Sequence, residues 1–293
     1  MPTVSVVIPS FRGGRYLREA VASVQAQTLT DWELIIVLDG CDDDLSDIDK
    51  ADERVRVIRQ RNRGASIARN VGVSHAQSEL VALLDDDDLI MPERLRLQSD
   101  AMGNKSIGIC HTQFCFIDEN GTVTGQGGAK ESQYGDFLRG VGGICPGSMM
   151  FRRDLFHEVG GFNSLLTLGE DLDLFYRLAR ESTVRFVPET LYEYRRHSSN
   201  VWLGTDLGSD QCKLILQQHL VAAKARGETD NVKAIHRGVS LIPSDRVAKE
   251  VSRANEARRR HDYVAMLIAL VKAFFLSPVF FLRAAMRRFS NVN

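Results

Sequence analysis

Four consecutive carboxylates, Asp85-Asp86-Asp87-Asp88, end an apolar run of Leu80-Val81-Ala82-Leu83-Leu84. Neighbouring carboxylates repel one another and resist leaving water, so such a cluster at the end of a buried strand demands a cation or a set of donors. A magnesium or manganese ion carrying phosphate oxygens answers that demand, because such ions take one or two carboxylates and complete their shell with phosphate and water. A solvated acidic turn is the alternative. A second acidic segment, Gly169-Glu170-Asp171-Leu172-Asp173, precedes the apolar face of Leu174, Phe175 and Leu178. Asp171 there favours the positive end of a helix dipole, and as a structural acid it needs no other role. Asp39, before Gly40, could accept a hydrogen bond from a base N–H, which suits the N3 of uracil and rejects cytosine. A turn aspartate is the alternative. In Pro9-Ser10-Phe11 the ring of Phe11 could stack on that base or simply cover a sheet edge.

The elements that must hold these residues alternate. Strands are expected at Val4–Ile8, Glu33–Leu38, Val55–Arg59 and Leu80–Leu84, with helices at Tyr16–Gln27 and Ile67–Ser74. This rhythm implies a mainly parallel sheet with helices on both faces, and ligands on such sheets bind beyond the carboxyl ends of the strands. No G-x-G-x-x-G follows the first strand, so the dinucleotide fingerprint is missing. Further on, a helix is expected from Arg94 to Ala101, a strand at Ile107–Phe116 and a hairpin at Asn120-Gly121 returning through Thr122–Thr124. Ser148–Phe151 reads as a strand, Asp154–Val159 as a short helix, and Val184–Val187 and Leu191–Tyr194 as the last two strands. The glycine-rich segments 125–128 and 140–147 read as loops.

The chain has 293 residues and a formal net charge of -1, which argues against a general nucleic-acid binder. Its five cysteines form no C-x-x-C pair, so neither a disulfide framework nor a structural zinc is indicated. No basic segment with an apolar core precedes the first strand, and a cytoplasmic location is expected.

The series V-S-V-V-I-P-S-F at 4–11, A-S-V-Q-A-Q-T-L at 22–29, W-E-L-I-I-V-L-D-G at 32–40 and G-A-S-I-A-R-N-V-G at 64–72 resembles the family 2 glycosyltransferases of GT-A fold. The run A-L-L-D-D-D-D-L-I-M-P-E-R-L at 82–95 extends the likeness, as do G-G-F-N at 160–163 and G-E-D-L-D-L-F-Y-R-L at 169–178. The resemblance implies an α/β, Rossmann-like mixed sheet, mainly parallel and flanked by helices, and an inverting transfer of sugar from a nucleotide sugar to a hydroxyl. It makes the acidic turn the D-x-D motif, with Asp87 as metal ligand and Asp85 near metal, ribose or diphosphate. Pro9, Ser10, Phe11, Asp39 and Asp86 fall among the nucleotide contacts, and Mn2+ or Mg2+ is the implied cofactor. Asp171 takes the place of the catalytic base, with Glu170 beside it in the catalytic segment as the neighbour that positions acceptor or loop. Arg69 would reach the base or a phosphate, and His197, after Tyr194-Arg195-Arg196, the diphosphate or metal. For both, a surface residue is the alternative. The family usually has two acids before the glycine at 40, and here the first is Leu38, which affects ribose or secondary base contacts.

The implied partners are a nucleotide-sugar donor, with UDP favoured, and a glycan or lipid-linked sugar acceptor of a bacterial surface polysaccharide or glycolipid. A sugar-1-phosphate nucleotidyltransferase is the rival enzyme, for which Pro9-Ser10-Phe11-Arg12-Gly13-Gly14 is a poor triphosphate loop. A nucleotide-sugar-binding protein without turnover is the non-enzymatic rival.

Residues 1–203 are expected to form the catalytic domain and 204–293 a helical C-terminal extension. Helical spacing runs through Leu207–Arg226, Thr229–Arg237, Ser244–Arg260 and Asp262–Leu276, and after Pro278 through Val279–Phe289. Lys272 and Pro278 interrupt the apolar run Val264–Leu282, which disfavours a membrane span. Docked helices and a peripheral contact of residues 262–289 with the inner face of the plasma membrane are the two leading readings, with a true span as the third.

Overall fold

The computed structural model describes residues 1–45, 48, 52–140, 143–166, 168–197, 200, 208–240, 242, 250, 253–254, 257–258 and 261–276. The chain divides into two compact units, one of Met1–Phe137 with Val141–Ser198 and one of Leu138–Gly140 with Ser199–Asn293.

The first unit is built on a nine-stranded sheet. Strands β1 (Val4–Ser10), β2 (Trp32–Asp39), β3 (Val55–Gln60) and β4 (Leu80–Leu83) run parallel in the order β3-β2-β1-β4. β1, β2 and β4 are buried along their whole length, as their unbroken apolar runs require when helices cover both faces of a sheet. Helix α1 (Gly14–Gln25) buries Leu17, Ala20, Val21 and Val24 at helical spacing. Helix α2 (Ala65–His75) lies against β1 at Gly72, where a Cβ would stand 2.3 Å from Cγ1 of Val7. Only glycine permits that approach.

After β4 come β5 (Leu89–Ile90), α3 (Arg94–Ala101), β6 (Ile107–Ile117), β7 (Val123–Gln126), α4 (Tyr134–Leu138) and a 3-10 turn at Pro146–Ser148. β8 (Met150–Arg152), α5 (Arg153–Glu158), α6 (Glu170–Glu181) and β9 (Thr183–Arg195) complete the unit. The sheet continues β4-β8-β6-β9-β5, with β8 antiparallel to both neighbours and β7 paired to the far end of β6. The result is the expected mixed, mainly parallel α/β architecture.

Two local expectations are corrected, and one strand appears that the sequence did not announce. The last two strands are one 13-residue strand, β9. Its register against β6 jumps from Val187 to Thr190, because Pro188 has no N–H to give the ladder and the chain bulges past it before pairing resumes. Gly125 lies within β7 rather than in a loop. β5 has only two residues and no sequence signature of its own, and it exists through pairing with Tyr192 and Glu193.

In the second unit, α7 (Gly208–Ala225) and α8 (Thr229–Val239) pack on each other and α9 covers Tyr263–Leu276. No strand occurs among its described residues. No described helix is long and apolar enough to cross a membrane. Most of the helix expected at Ser244–Arg260, and all of Val279–Phe289, lies outside the described residues.

Candidate active site

The acidic turn sits where β4 ends, and each carboxylate has its own partner. Asp88 is buried and accepts from the Tyr192 hydroxyl at 2.5 Å and the Arg195 backbone N–H at 2.7 Å. Burial drives its pKa well up, and those two donors oppose the shift. The Arg195 side chain, itself buried, donates from Nε to the Asp87 carbonyl at 2.8 Å and from Nη2 to Oε2 of Glu19 at 2.7 Å, with its guanidinium 4.5 Å from the Tyr16 ring centroid. The end of β9 therefore fixes the backbone of the turn. Asp86 accepts from the Ser10 hydroxyl at 2.5 Å, and burial pushes its carboxyl up to about 6.

Asp85 and Asp87 keep partly exposed carboxylates, at 32% and 27%. Oδ2 of Asp87 faces Nε2 of His197 at 2.9 Å, and the imidazole stacks on Tyr16 with centroids 5.4 Å apart. Burial raises the pKa of Asp87, as does Asp85, and the bond to His197 counteracts them. Among the described residues no three His, Cys, Asp or Glu side chains are grouped to enclose an ion by themselves. Mg2+ and Mn2+ do not require such a cage when phosphates and waters supply the other ligands, and two carboxylates at an accessible edge are the donor chemistry they take.

The second acidic segment meets the turn through Arg69. Gly169 adopts the left-handed conformation, φ 74°, and α6 begins with Glu170 and Asp171 in its first turn. Arg69 donates from Nη2 to Oδ1 of Asp85 at 2.7 Å and from Nη1 to Oε1 of Glu170 at 2.8 Å. It is nine-tenths buried, and although burial alone would lower its pKa, Asp85 and Glu170 raise it. Asn70 adds a second tie, donating to the Phe162 carbonyl at 2.9 Å and accepting from its N–H at 2.8 Å. Asp171 is half-buried, and its Oδ1 accepts from the Leu172 N–H at 2.6 Å. Burial first, then Glu170, push its carboxyl to about 6, against the opposing pull of Arg69. A carboxyl tuned to that value is able to take a proton near neutral pH.

Asp39 ends β2, the strand next to β1. Its Oδ1 accepts from Gln60 Nε2 at 2.7 Å and from the Arg63 N–H at 2.8 Å, and its Oδ2 accepts from the Gly64 N–H at 2.8 Å. The carboxylate thus shapes the β3–α2 loop, and a carboxylate's roughly four acceptor positions leave one over. Pro9 and Ser10 are buried in β1, while the Phe11 ring is 54% exposed just beyond it.

Sequence reasoning missed the supports of this site. Tyr192, Glu19 and Tyr16 hold Asp88, Arg195 and His197, and their sequence neighbourhoods carry no sign of it. Arg94 is fully buried, donating to the carbonyls of Leu83 at 3.0 Å, Gly147 at 2.9 Å and Met149 at 3.2 Å and to Oε1 of Gln98 at 2.9 Å. Burial lowers its pKa to about 10. It ties the end of β4 to the 3-10 turn before β8.

Comparison with known proteins meets this geometry. GlyG of Streptococcus pneumoniae serotype 4, a glycosyltransferase, is 31% identical over 219 residues, covering 68% of this chain and 72% of its own. TuaG of Bacillus subtilis, named for teichuronic acid biosynthesis, is 36% identical over 126 residues, 41% of this chain and 50% of its own. An uncharacterized glycosyltransferase of Rickettsia felis is 29% identical over 208 residues, 66% of this chain but only 33% of that relative's length. The crystal structure of S. aureus TarS 1–349 in complex with UDP-GlcNAc superposes with a TM-score of 0.67 at 15% identity, covering 93% of this chain and 91% of that one, which shows a shared fold. Residues 5–160, which hold the acidic turn, Asp39 and Arg69, match the profile of Glycosyl transferase family 2. The chain belongs to that family.

Proposed function

We propose that this chain moves a sugar from a nucleoside-diphosphate sugar, with UDP-sugars favoured, onto a hydroxyl of a glycan or lipid-linked sugar, inverting the anomeric configuration. The Arg69 bridge carries the reading: one guanidinium joins Asp85 of the turn to Glu170, the neighbour of Asp171, at 2.7 and 2.8 Å. Asp171 takes the acceptor proton as the acceptor oxygen attacks the anomeric carbon from the face opposite the diphosphate. The bond to the diphosphate oxygen breaks, and negative charge collects on the leaving group. Asp87 and Asp85 would hold a Mn2+ or Mg2+ ion, which when bound supplies neutralisation of that charge. Asp39 reads the base N–H with its remaining acceptor position, and Phe11 stacks on the ring. Arg69, committed to two carboxylates, orients them in place of a direct phosphate contact, and His197 steadies Asp87. In this reading residues 1–203 are catalytic and 204–293 a helical extension. Crystal structures of TarS with UDP-GlcNAc and with UDP favour a uridine donor, and the name of TuaG favours a surface polysaccharide as product.

A panel of UDP-, GDP- and dTDP-sugars with Mn2+, scored by calorimetric binding and by donor hydrolysis, tests the donor. In parallel, Asp171→Asn should lower turnover by about 10^2- to 10^4-fold while UDP affinity stays within about threefold. Unchanged turnover would remove Asp171 from the base role.

A further inference from the structure

α9 turns its small residues inward and its large apolar residues outward. Ala269 and Ala273 are buried, whereas Tyr263, Val264, Leu267, Ile268, Val271 and Phe274 are 41–71% exposed. At about 100° per residue these six fall within an arc of roughly 140°, with the exposed Lys272 beside it. A helix that only had to cover a core would show the reverse pattern. Six large apolar side chains exposed along one strip form the contiguous kind of apolar surface that marks an interaction site on a soluble protein. Charge says what covers it. Residues 263–293 contain Lys272, Arg283, Arg287 and Arg288 and no Asp or Glu, in a chain whose net charge is -1. Anionic headgroups would complement this basic, acid-free run. The 14-residue helix is about 21 Å long, short of a hydrocarbon core of about 30 Å.

We infer that α9 lies flat on an anionic bilayer surface, with the Val264–Leu267–Ile268–Val271 face in the acyl boundary and Lys272 toward the headgroups. The inference gives the lipid-linked acceptor of the proposed reaction a place to be met, but it rests on α9 and the basic sequence that follows it, and its readout is binding.

The full chain is sedimented with phosphatidylcholine vesicles and with vesicles containing phosphatidylglycerol, at low and high salt. Binding should favour the anionic vesicles and fall with salt. Leu267→Ser with Ile268→Ser should weaken partition on anionic vesicles by roughly a hundredfold. Replacing Arg283, Arg287 and Arg288 with Glu should weaken it at least as much and leave the residual binding insensitive to salt. Both positions in the first variant are exposed, and circular dichroism with thermal melting checks that each variant folds. Equal, salt-insensitive binding to both vesicle types, or none, would overturn the inference. So would a sedimentation-equilibrium dimer that the Leu267→Ser, Ile268→Ser variant dissolves, which would assign the face to a second copy. UDP-sugar binding measured on the same preparations keeps failure here distinct from failure of the transferase reading.

Discussion

Arg69→Met removes the cation that joins the two acidic segments while keeping most of the side-chain volume. In the native site burial and Glu170 push the Asp171 carboxyl to about 6 against the opposing pull of Arg69. At an effective dielectric near 20, a unit charge about 8 Å from a carboxyl is worth about 2 kcal/mol, or roughly 1.5 pKa units, which sets the scale for the pull of Arg69. Its loss should carry Asp171 to roughly 7.5. Asp171 must be ionised to accept a proton, so activity is present above its pKa and lost below it. The acidic limb of kcat/KM against pH should therefore lie near 6 in the native enzyme and near 7.5 in the variant. At pH 7 the ionised fraction falls from about nine tenths to about a quarter, so only about a fourfold loss at that pH comes from titration. Any larger loss reports displaced geometry and should persist on the alkaline plateau. The assay is kcat/KM at fixed acceptor and metal across pH 5–9 for the native chain, Arg69→Met and Arg69→Lys. Lysine keeps the charge but cannot span both acids at once, so its limb should stay near 6 while its plateau drops. An unmoved limb in Arg69→Met, with Asp171→Asn still inactive, would refute the electrostatic role of Arg69.

Two further substitutions read the structural supports. The Asp86 carboxyl, raised to about 6, costs the folded state stability once it ionises. The penalty is absent below about pH 4, grows through pH 6 and is full above it, so Asp86→Asn should stabilise the chain by about 1–2 kcal/mol at pH 7.5 and by nothing at pH 4. Urea unfolding at the two pH values checks this, and a gain independent of pH would count against it. Arg94→Met leaves three buried carbonyls and Gln98 without their donor and should cost about 3 kcal/mol between pH 5 and 8. A loss under about 1 kcal/mol would show that water replaces the guanidinium there.

The acidic residues were legible because carboxylates in series at the end of an apolar run, or in front of an amphipathic one, have few inexpensive environments. β1 to β4 were legible because strands covered on both faces must be apolar throughout. The supports were not. Arg94 and Arg195 look in sequence like any surface arginine, and their burial is decided by carbonyls and a carboxylate far along the chain, such as Met149 for Arg94 and Glu19 for Arg195. Asp39 reads as a free acceptor until the fold brings Gln60, Arg63 and Gly64 to it. The unity of β9 was hidden by Pro188, which marks a break when only local propensity is considered and a bulge when β6 is there to resume pairing.

Two adjacent positions on α2 hold the loop and helix that lead to Asp171: Arg69 grips Glu170, and Asn70 closes a reciprocal pair with Phe162. Grafting segment 160–171 from a homologue is therefore a transplant whose anchor points lie some 90 to 100 residues upstream. Chimeras that carry positions 69 and 70 from the same parent as the grafted loop should turn over, and those that mix parents should bind donor and stall.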